Sequence, residues 1–197
     1  MRASSIFKNL FLGCCLAFSL SGWSQQSPRK KINIDEGWTF HFGHAGDPAK
    51  DFNFSLATIY SKSGAAPKTA IDPKFNDSTW RKLDLPHDWA VELPFKEIDD
   101  FNVMAHGYKP VGGHFPETSI GWYRKRFTVA KADSGSRFQL QFDGIFRDAK
   151  IWLNGFYLGN NQSGYIGVAY DVTDYVHFKN ENVLVVRVDA TQYEGWF

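Results

Sequence analysis

An all-β sandwich is the fold class that the sequence predicts for most of this chain of 197 residues. Apolar residues recur at every second position in several short segments, which is the period of a half-buried strand, whereas helix-period stripes are scarce. Aromatic residues make up 17% of the chain, and aromatic side chains are enriched in strands because they pack well on a pleated surface. The alternation and the aromatic content together indicate a β-rich core.

Short stretches of alternating apolar and polar residues, or short apolar and β-branched runs next to turn residues, mark the expected strands. They are residues 38–42, 122–129, 138–142, 151–159 and 183–189. Within 151–159 the dipeptide Asn154-Gly155 separates two apolar runs, which predicts a hairpin because a type I′ turn needs positive φ at both central residues. Short strands divided by turn residues favour an antiparallel sandwich.

Two long segments, residues 43–79 and 94–120, interrupt the strand pattern and are rich in Gly, Pro and polar residues. Irregular segments of this length are uncommon in a compact domain unless they are functional or disordered. Their aromatic side chains predict that they pack on the rest of the domain. A short helix is expected to begin near Asp47.

The first 24 residues have the features of a secretory signal peptide. Arg2 and Lys8 give a positive start, residues 10–20 form an apolar run, and Gly22-Trp23-Ser24 supplies a small-x-small cleavage pattern. The apolar run is too short to span a bilayer comfortably. Residues 1–24 are therefore predicted to be removed on export.

Cleavage there leaves residues 25–31 as a polar leader segment and residues 32–197 as the folded domain. Both cysteines, Cys14 and Cys15, lie in the predicted signal peptide, so thiol catalysis and cysteine zinc sites are excluded for the mature domain. A lipoprotein signal ending at Cys14 is the alternative, although the apolar segment before it would be very short.

Charge and histidine spacing exclude several classes of function. The chain has 22 Lys and Arg against 21 Asp and Glu, which gives no basic surface for nucleic acid. The six histidines show no zinc-binding spacing, so no metal or cofactor is expected. The pair His87-Asp88 suggests either an acid/base couple or a rigid corner after a strand. The corner is favoured, because adjacent side chains rarely converge on one substrate atom.

Several blocks of sequence stand in a fixed order along the chain. They are WRKLDLPHDW at 80–89, GWYRKRF at 121–127, FDGIFRDAKIWLNG at 142–155, DVTDY at 171–175 and NVLVVRVD at 182–189. Together they resemble the N-terminal sugar-binding domain of glycoside hydrolase family 2, and LPHDW resembles its β-galactosidase branch most. The resemblance implies a galactose-binding-like jelly-roll β-sandwich with long irregular loops.

The resemblance also implies that this domain precedes an immunoglobulin-like domain and a catalytic barrel. Retaining glycosidases use two carboxyl groups, which in this family are glutamates of the barrel, and none of the glutamates here resembles the barrel motifs. The chain is thus expected to be a fragment of a β-galactosidase that is inactive alone. By analogy with polysaccharide-degrading bacteria, it is expected in the periplasm or at the surface of a Gram-negative cell. A free-standing carbohydrate-binding module and a structural sandwich without sugar affinity are the alternatives.

No catalytic residue is expected in this chain, but the resemblance implies substrate contacts. In β-galactosidases of this family, a strand end and a loop of this domain contact hydroxyl groups of the terminal galactose. By resemblance the strand end is Asp189, and the loop is Glu117, Thr118 and Ser119. An ionised carboxylate can accept two hydroxyl hydrogen bonds, and charge-assisted bonds are the strong ones. The other interpretation is that Asp189 caps the strand or accepts from Arg187 or from backbone N–H groups.

Overall fold

The computed structural model describes residues 29–55, 67–92 and 120–190. The chain divides into two compact units, Met1–Asn33 and Ile34–Phe197. In the first unit only residues 29–33 are described, and they form neither strand nor helix. The predicted signal peptide lies outside the described residues, and the strands all belong to the second unit.

The described part of the second unit is built from antiparallel strands in two sheets. The strands are β1 (Trp38–Phe42), β2 (Arg81–Leu83), β3 (Ile120–Phe127), β4 (Gln139–Phe142), β5 (Ala149–Leu153), β6 (Phe156–Asn161), β7 (Val168–Asp171) and β8 (Asn182–Asp189). The larger sheet has the order β2-β1-β3-β8-β5-β6, and β4 pairs with β7 in the smaller one. The all-β prediction is confirmed. The expected strands all form, β2 is the strand expected before the corner at residues 85–89, and β7 was not predicted.

Short 3₁₀ helices are the helical elements of the described residues. They are Trp89–Glu92, Lys131–Asp133 and Thr173–Tyr175. None of them has the length or the apolar character that a membrane-spanning helix needs.

The predicted hairpin between β5 and β6 is confirmed. Its central residues, Asn154 and Gly155, have φ values of 53° and 84°, as a type I′ turn requires. The Asn154 amide also donates to the side-chain oxygen of Asn182 at 2.8 Å, and the Val183 N–H donates to Asn154 Oδ1 at 2.8 Å. The turn is thereby attached to the start of β8.

The inner face of the larger sheet packs against the smaller sheet. Buried side chains from the larger sheet include Trp38, Phe40, Tyr123, Ile151, Leu184 and Val186, and Leu140, Phe142 and Tyr170 from the smaller sheet pack on them. Each set alternates along its strand, because successive side chains point to opposite faces. This layer is the core of the sandwich.

The outer face of the larger sheet carries a second apolar core. Trp122, Trp152 and Val185 from the sheet are covered by Phe54, Ala70, Ile71 and Trp80 from the long segment after β1. The rings of Trp122 and Trp152 stack with centroids 6.1 Å apart. The prediction that residues 43–79 pack on the domain is confirmed for their described part, while residues 56–66 and 93–119 lie outside the described residues.

The expected helix near Asp47 does not form. The Asp51 N–H donates to the Asp47 carbonyl at 3.0 Å, which closes one turn. Phe52 and Asn53 then adopt φ values of 53° and 57°, and left-handed residues cannot continue a right-handed helix. The chain instead turns so that Phe54 enters the outer core.

One end of the larger sheet gathers several strand termini. Ile120 at the start of β3 pairs with Asp189 at the end of β8, and Phe42 at the end of β1 pairs with Gly121. Ala149 at the start of β5 pairs with Asn161 at the end of β6. The loops that enter or leave these strands therefore meet at this end, which we call the Asp189 end of the sheet.

Candidate functional site

Asp189 lies at the strand end that the sequence indicates. It is the last residue of β8, and its backbone N–H donates to the Arg147 carbonyl at 3.2 Å. Its side chain is 17% exposed, so it is largely shielded but not fully buried. The position suits a hydrogen-bond acceptor at the rim of the sheet.

Arg187 holds one oxygen of this carboxyl group. Its Nη1 donates to Asp189 Oδ2 at 3.1 Å, so the contact considered in the alternative interpretation is present. The Arg187 side chain is only 4% exposed. Because residues two apart on a strand share a face, Arg187 and Asp189 both lie on the outer face of the sheet.

Asp51 holds Arg187 from the other side. Asp51 Oδ2 accepts from Arg187 Nε at 3.0 Å and lies 2.8 Å from Arg187 Nη2. Its other oxygen accepts from Trp122 Nε1 at 2.6 Å and from the His44 N–H at 3.1 Å. A buried carboxylate with this many donors has a fixed orientation, since each bond restricts its rotation.

Sequence reasoning missed Asp51 and Trp122 as parts of this arrangement. The sequence did indicate that Arg187 needs an acidic partner. Arg187 interrupts a mainly apolar strand, and a buried guanidinium needs an acid to offset the cost of burying its charge. The sequence could not indicate which acid supplies it. Asp51 is 136 positions away along the chain.

Further charges surround the Asp189 end of the sheet. Lys150 stands opposite Arg187 in the β5–β8 ladder. Burial and the charge of Arg187 lower the pKa of Lys150, while Asp189 and Asp148 oppose that shift. Arg147 Nε donates to Asp148 Oδ2 at 3.0 Å. Cations and carboxylates therefore lie next to one another at this end of the sheet.

The predicted loop residues Glu117, Thr118 and Ser119 lie outside the described residues. Ile120, the next residue along the chain, pairs with Asp189. Among the described residues, no group of three or more His, Cys, Asp and Glu side chains is arranged to hold a metal ion.

His87 belongs to a separate cluster on the inner face. Its Nδ1 lies 2.8 Å from the Tyr123 hydroxyl and its Nε2 lies 3.0 Å from Glu92 Oε1. The ring also packs edge-on against Phe40 with centroids 4.8 Å apart. These contacts support the interpretation of the LPHDW motif as a structural corner. Glu92 is a partner that the sequence did not indicate.

The comparison with known proteins decides the family. Residues 76–195 match the family described as glycosyl hydrolases family 2, sugar binding domain. This chain belongs to that family. Strands β2 to β8 all lie within the matched range.

Known relatives of the family-2 domain are glycosidases. The chain is 37% identical over 181 residues to a β-galactosidase of Bacteroides ovatus, covering 92% of this chain and 17% of that protein. It is 33% identical over 138 residues to a β-glucuronidase of Formosa agariphila, covering 70% of this chain and 13% of that protein. The family-2 domain thus spans less than a fifth of the length of these relatives.

Solved structures have the same fold. A β-glycosidase from Bacteroides vulgatus superimposes with a TM-score of 0.62 at 30% sequence identity, over 84% of this chain and 18% of that one. A family-2 glycosyl hydrolase from Bacteroides cellulosilyticus superimposes with a TM-score of 0.56 at 31% identity, over 83% of this chain and 18% of that one. The predicted jelly-roll sandwich is confirmed.

Proposed function

We propose that this family-2 domain provides a sugar contact within a β-galactosidase-type glycoside hydrolase, and that Asp189 makes that contact. The similarity to a β-galactosidase of Bacteroides ovatus supports the enzyme class. The LPHDW sequence at residues 85–89 supports the same branch. The substrate would be a β-galactoside or a related glycan.

The observation that carries the proposal is the Asp189 carboxylate itself. Asp189 is the last residue of β8, and its side chain is 17% exposed. An ionised carboxylate is an acceptor only, so it selects ligands that donate, and sugar hydroxyl groups do so. In a partly buried site such charge-assisted bonds are stronger than in water. We propose Glu117, Thr118 and Ser119, which precede Ile120, as further contacts.

We propose that hydrolysis needs the catalytic barrel of such an enzyme in addition to this domain. Retaining glycosidases place two carboxyl groups about 5 Å apart. In this proposal an immunoglobulin-like domain and a barrel are the partners, and the barrel supplies both groups. The chain alone is then expected to release no aryl alcohol from an aryl β-galactoside.

A chimaeric enzyme tests the role of Asp189. The full chain would replace the matching segment of the Bacteroides ovatus β-galactosidase, and kcat/KM would be measured on an aryl β-galactoside. We expect Asp189→Ala to lower kcat/KM by about 100-fold or more, because it removes a contact to the sugar ring. Asp174→Ala, at an exposed aspartate of the Thr173–Tyr175 helix, is the matched control and should leave kcat/KM unchanged. Wild-type kinetics of Asp189→Ala would reject the proposal.

Titration of galactose and lactose into the full chain separates the alternatives. The proposal expects binding no tighter than millimolar, since one face of the sugar site is supplied by another domain. Micromolar binding would instead identify a free-standing carbohydrate-binding module. Calorimetry on the Asp189→Ala variant shows whether any binding uses this residue.

Export is part of the same proposal. The positive start, apolar run and small-x-small pattern of residues 1–24 support a cleaved signal peptide. N-terminal sequencing of the protein recovered from the periplasm of a Gram-negative host should begin at Gln25. A lipidated N-terminal Cys14 would establish the lipoprotein route, and a protein that stays in the cytoplasm with Met1 in place would reject export.

A further inference from the structure

The guanidinium of Arg187 connects the outer core to the Asp189 end of the sheet. Its Nε and Nη2 face Asp51 Oδ2 at 3.0 Å and 2.8 Å, while Nη1 faces Asp189 Oδ2 at 3.1 Å. A guanidinium is planar, and its donors have fixed relative directions. A group that is fixed at one edge therefore fixes the direction of the bond at its other edge.

The Asp51 edge of this guanidinium is rigidly held. Asp51 is 2% exposed and also accepts from Trp122 and His44. The guanidinium carbon lies 4.4 Å from the centroid of the Phe54 ring and 5.8 Å from that of Trp122. Both contacts restrict rotation of the Arg187 side chain, and the cation–π attraction adds to the ion pair.

We infer that Arg187 is a positioning residue for Asp189. Arg187 is held in place by Asp51, and it orients the Asp189 carboxyl group through the hydrogen bond to Asp189 Oδ2. This inference rests on the proposed function, because the orientation of Asp189 affects catalysis only if Asp189 contacts the sugar. Arg187 is 4% exposed, so it acts on a bound sugar through Asp189. The segment after β1, which contains Asp51, thereby contributes to the site from a distance.

Two buried arginines on the outer face differ in the residues that they contact. Arg124 also lies on the outer face, is 1% exposed, and has its own buried acidic partner, Asp77, at 2.9 Å. The Arg124–Asp77 pair includes no residue of the Asp189 end. Replacing either arginine by lysine keeps the charge but removes the planar fork. Only the change at Arg187 should alter the orientation of Asp189.

The test uses the chimaera with the Bacteroides ovatus enzyme and four variants. They are Arg187→Lys, Arg124→Lys, Asp189→Ala and the double variant Arg187→Lys/Asp189→Ala. We expect Arg187→Lys to lower kcat/KM by about tenfold or more, because a small misplacement of a contact group is costly. Arg124→Lys should leave kcat/KM unchanged. The double variant should be no worse than Asp189→Ala alone, since Arg187 acts through Asp189.

The outcomes separate this inference from the proposed function. If Asp189→Ala lowers kcat/KM but Arg187→Lys does not, the positioning role is wrong and the sugar contact stands. If Arg187→Lys is equally harmful with and without Asp189, or if Arg124→Lys is as harmful, the effect is structural and the inference is also wrong. If Arg187→Lys does not fold, Asp51→Asn replaces it in the same cycle. That variant keeps the shape of the anchor, weakens its hold on Arg187, and should give the same loss and the same non-additivity.

Discussion

Arg124 Nε lies 2.9 Å from Asp77 Oδ2, and this ion pair joins β3 to the segment that covers the outer face of the larger sheet. The two side chains are 0% and 11% exposed. Asp77 also accepts from Arg126 Nη2 at 3.2 Å and from the Thr39 hydroxyl at 3.2 Å. One carboxylate thus connects two strands to their covering segment.

Removal of the Asp77 carboxylate should strongly destabilise the domain. Asp77→Ala leaves the Arg124 guanidinium buried without its counter-charge, and breaking a buried ion pair in this way costs about 3–5 kcal/mol. Urea unfolding followed by tryptophan fluorescence measures the loss. Lys50→Ala is the control, because the Lys50–Asp47 pair is 67% and 37% exposed and should contribute at most about 1 kcal/mol. Equal losses in both variants would contradict this account of the outer core.

The same carboxyl group should make stability depend on pH in acid. Burial alone raises the pKa of Asp77, but the hydrogen bond and charge of Arg124 and the charge of Arg126 outweigh it, so the pKa is lowered from 3.8. A lowered folded-state pKa means that the ionised group stabilises the fold above the unfolded value. That contribution is lost as the pH falls through the folded value.

The expected acid profile is a decrease in the free energy of unfolding below about pH 4. The decrease should be smaller in Asp77→Asn, which has no proton to take up at this position. Denaturant titrations of both proteins from about pH 6 to about pH 2 provide the comparison. Parallel profiles would mean that other carboxyl groups cause the acid sensitivity.

Substitution of Gly43 should destabilise the domain, because Gly43 packs directly against the hydrogen bond between Asp51 and Trp122. A Cβ atom at Gly43 would lie 2.0 Å from Asp51 Oδ1 and 2.7 Å from Trp122 Nε1. Gly43→Ala should therefore displace Asp51 and destabilise the domain by about 1–3 kcal/mol, the usual cost of overpacking. At Gly144 the nearest atom to an added Cβ is the Gly164 carbonyl oxygen at 3.5 Å. Thermal unfolding of Gly144→Ala should stay close to wild type, and a similar result for Gly43→Ala would contradict the close packing around Asp51.

A cluster of exposed apolar side chains should make the chain associate. Phe146, Tyr165 and Ile166 are 47%, 68% and 58% exposed, and the Phe146 and Tyr165 rings have centroids 5.7 Å apart. Exposed apolar patches favour contact with another surface. Sedimentation velocity over a range of concentrations should show self-association that the double variant Tyr165→Ser/Ile166→Ser reduces.

Ile32, an isoleucine of the first unit that is 63% exposed, provides the matched control for this cluster. Ile32→Ser should not change the sedimentation profile. A monomeric wild-type chain at all concentrations would contradict the predicted association, as would an equal effect of Ile32→Ser.

Local pattern was enough to predict much of the fold. Strands β1, β3 and β4 follow from alternation, because side-chain direction along a strand has a fixed period of two. Strands β5, β6 and β8 follow from short apolar or β-branched runs next to turn residues. The Asn154-Gly155 turn follows from backbone conformations that these residues tolerate. The strand end at Asp189 follows from the same local pattern. Strand β2 has only three residues, with burial from intermediate to exposed, so alternation could not reveal it.

The sequence by itself thus determined the strands, the hairpin and the place of Asp189 at the end of β8. Only the tertiary structure decided that the outer face of the larger sheet is also buried, and that Arg124 and Arg187 are paired there. Their acidic partners are 47 and 136 positions away along the chain. Alternation assigns a residue to a face, but whether that face meets water or protein depends on which distant segment covers it. An acid becomes the partner of a buried arginine only when the fold brings the two within hydrogen-bond distance, because the cost of burial is offset only by a partner in contact.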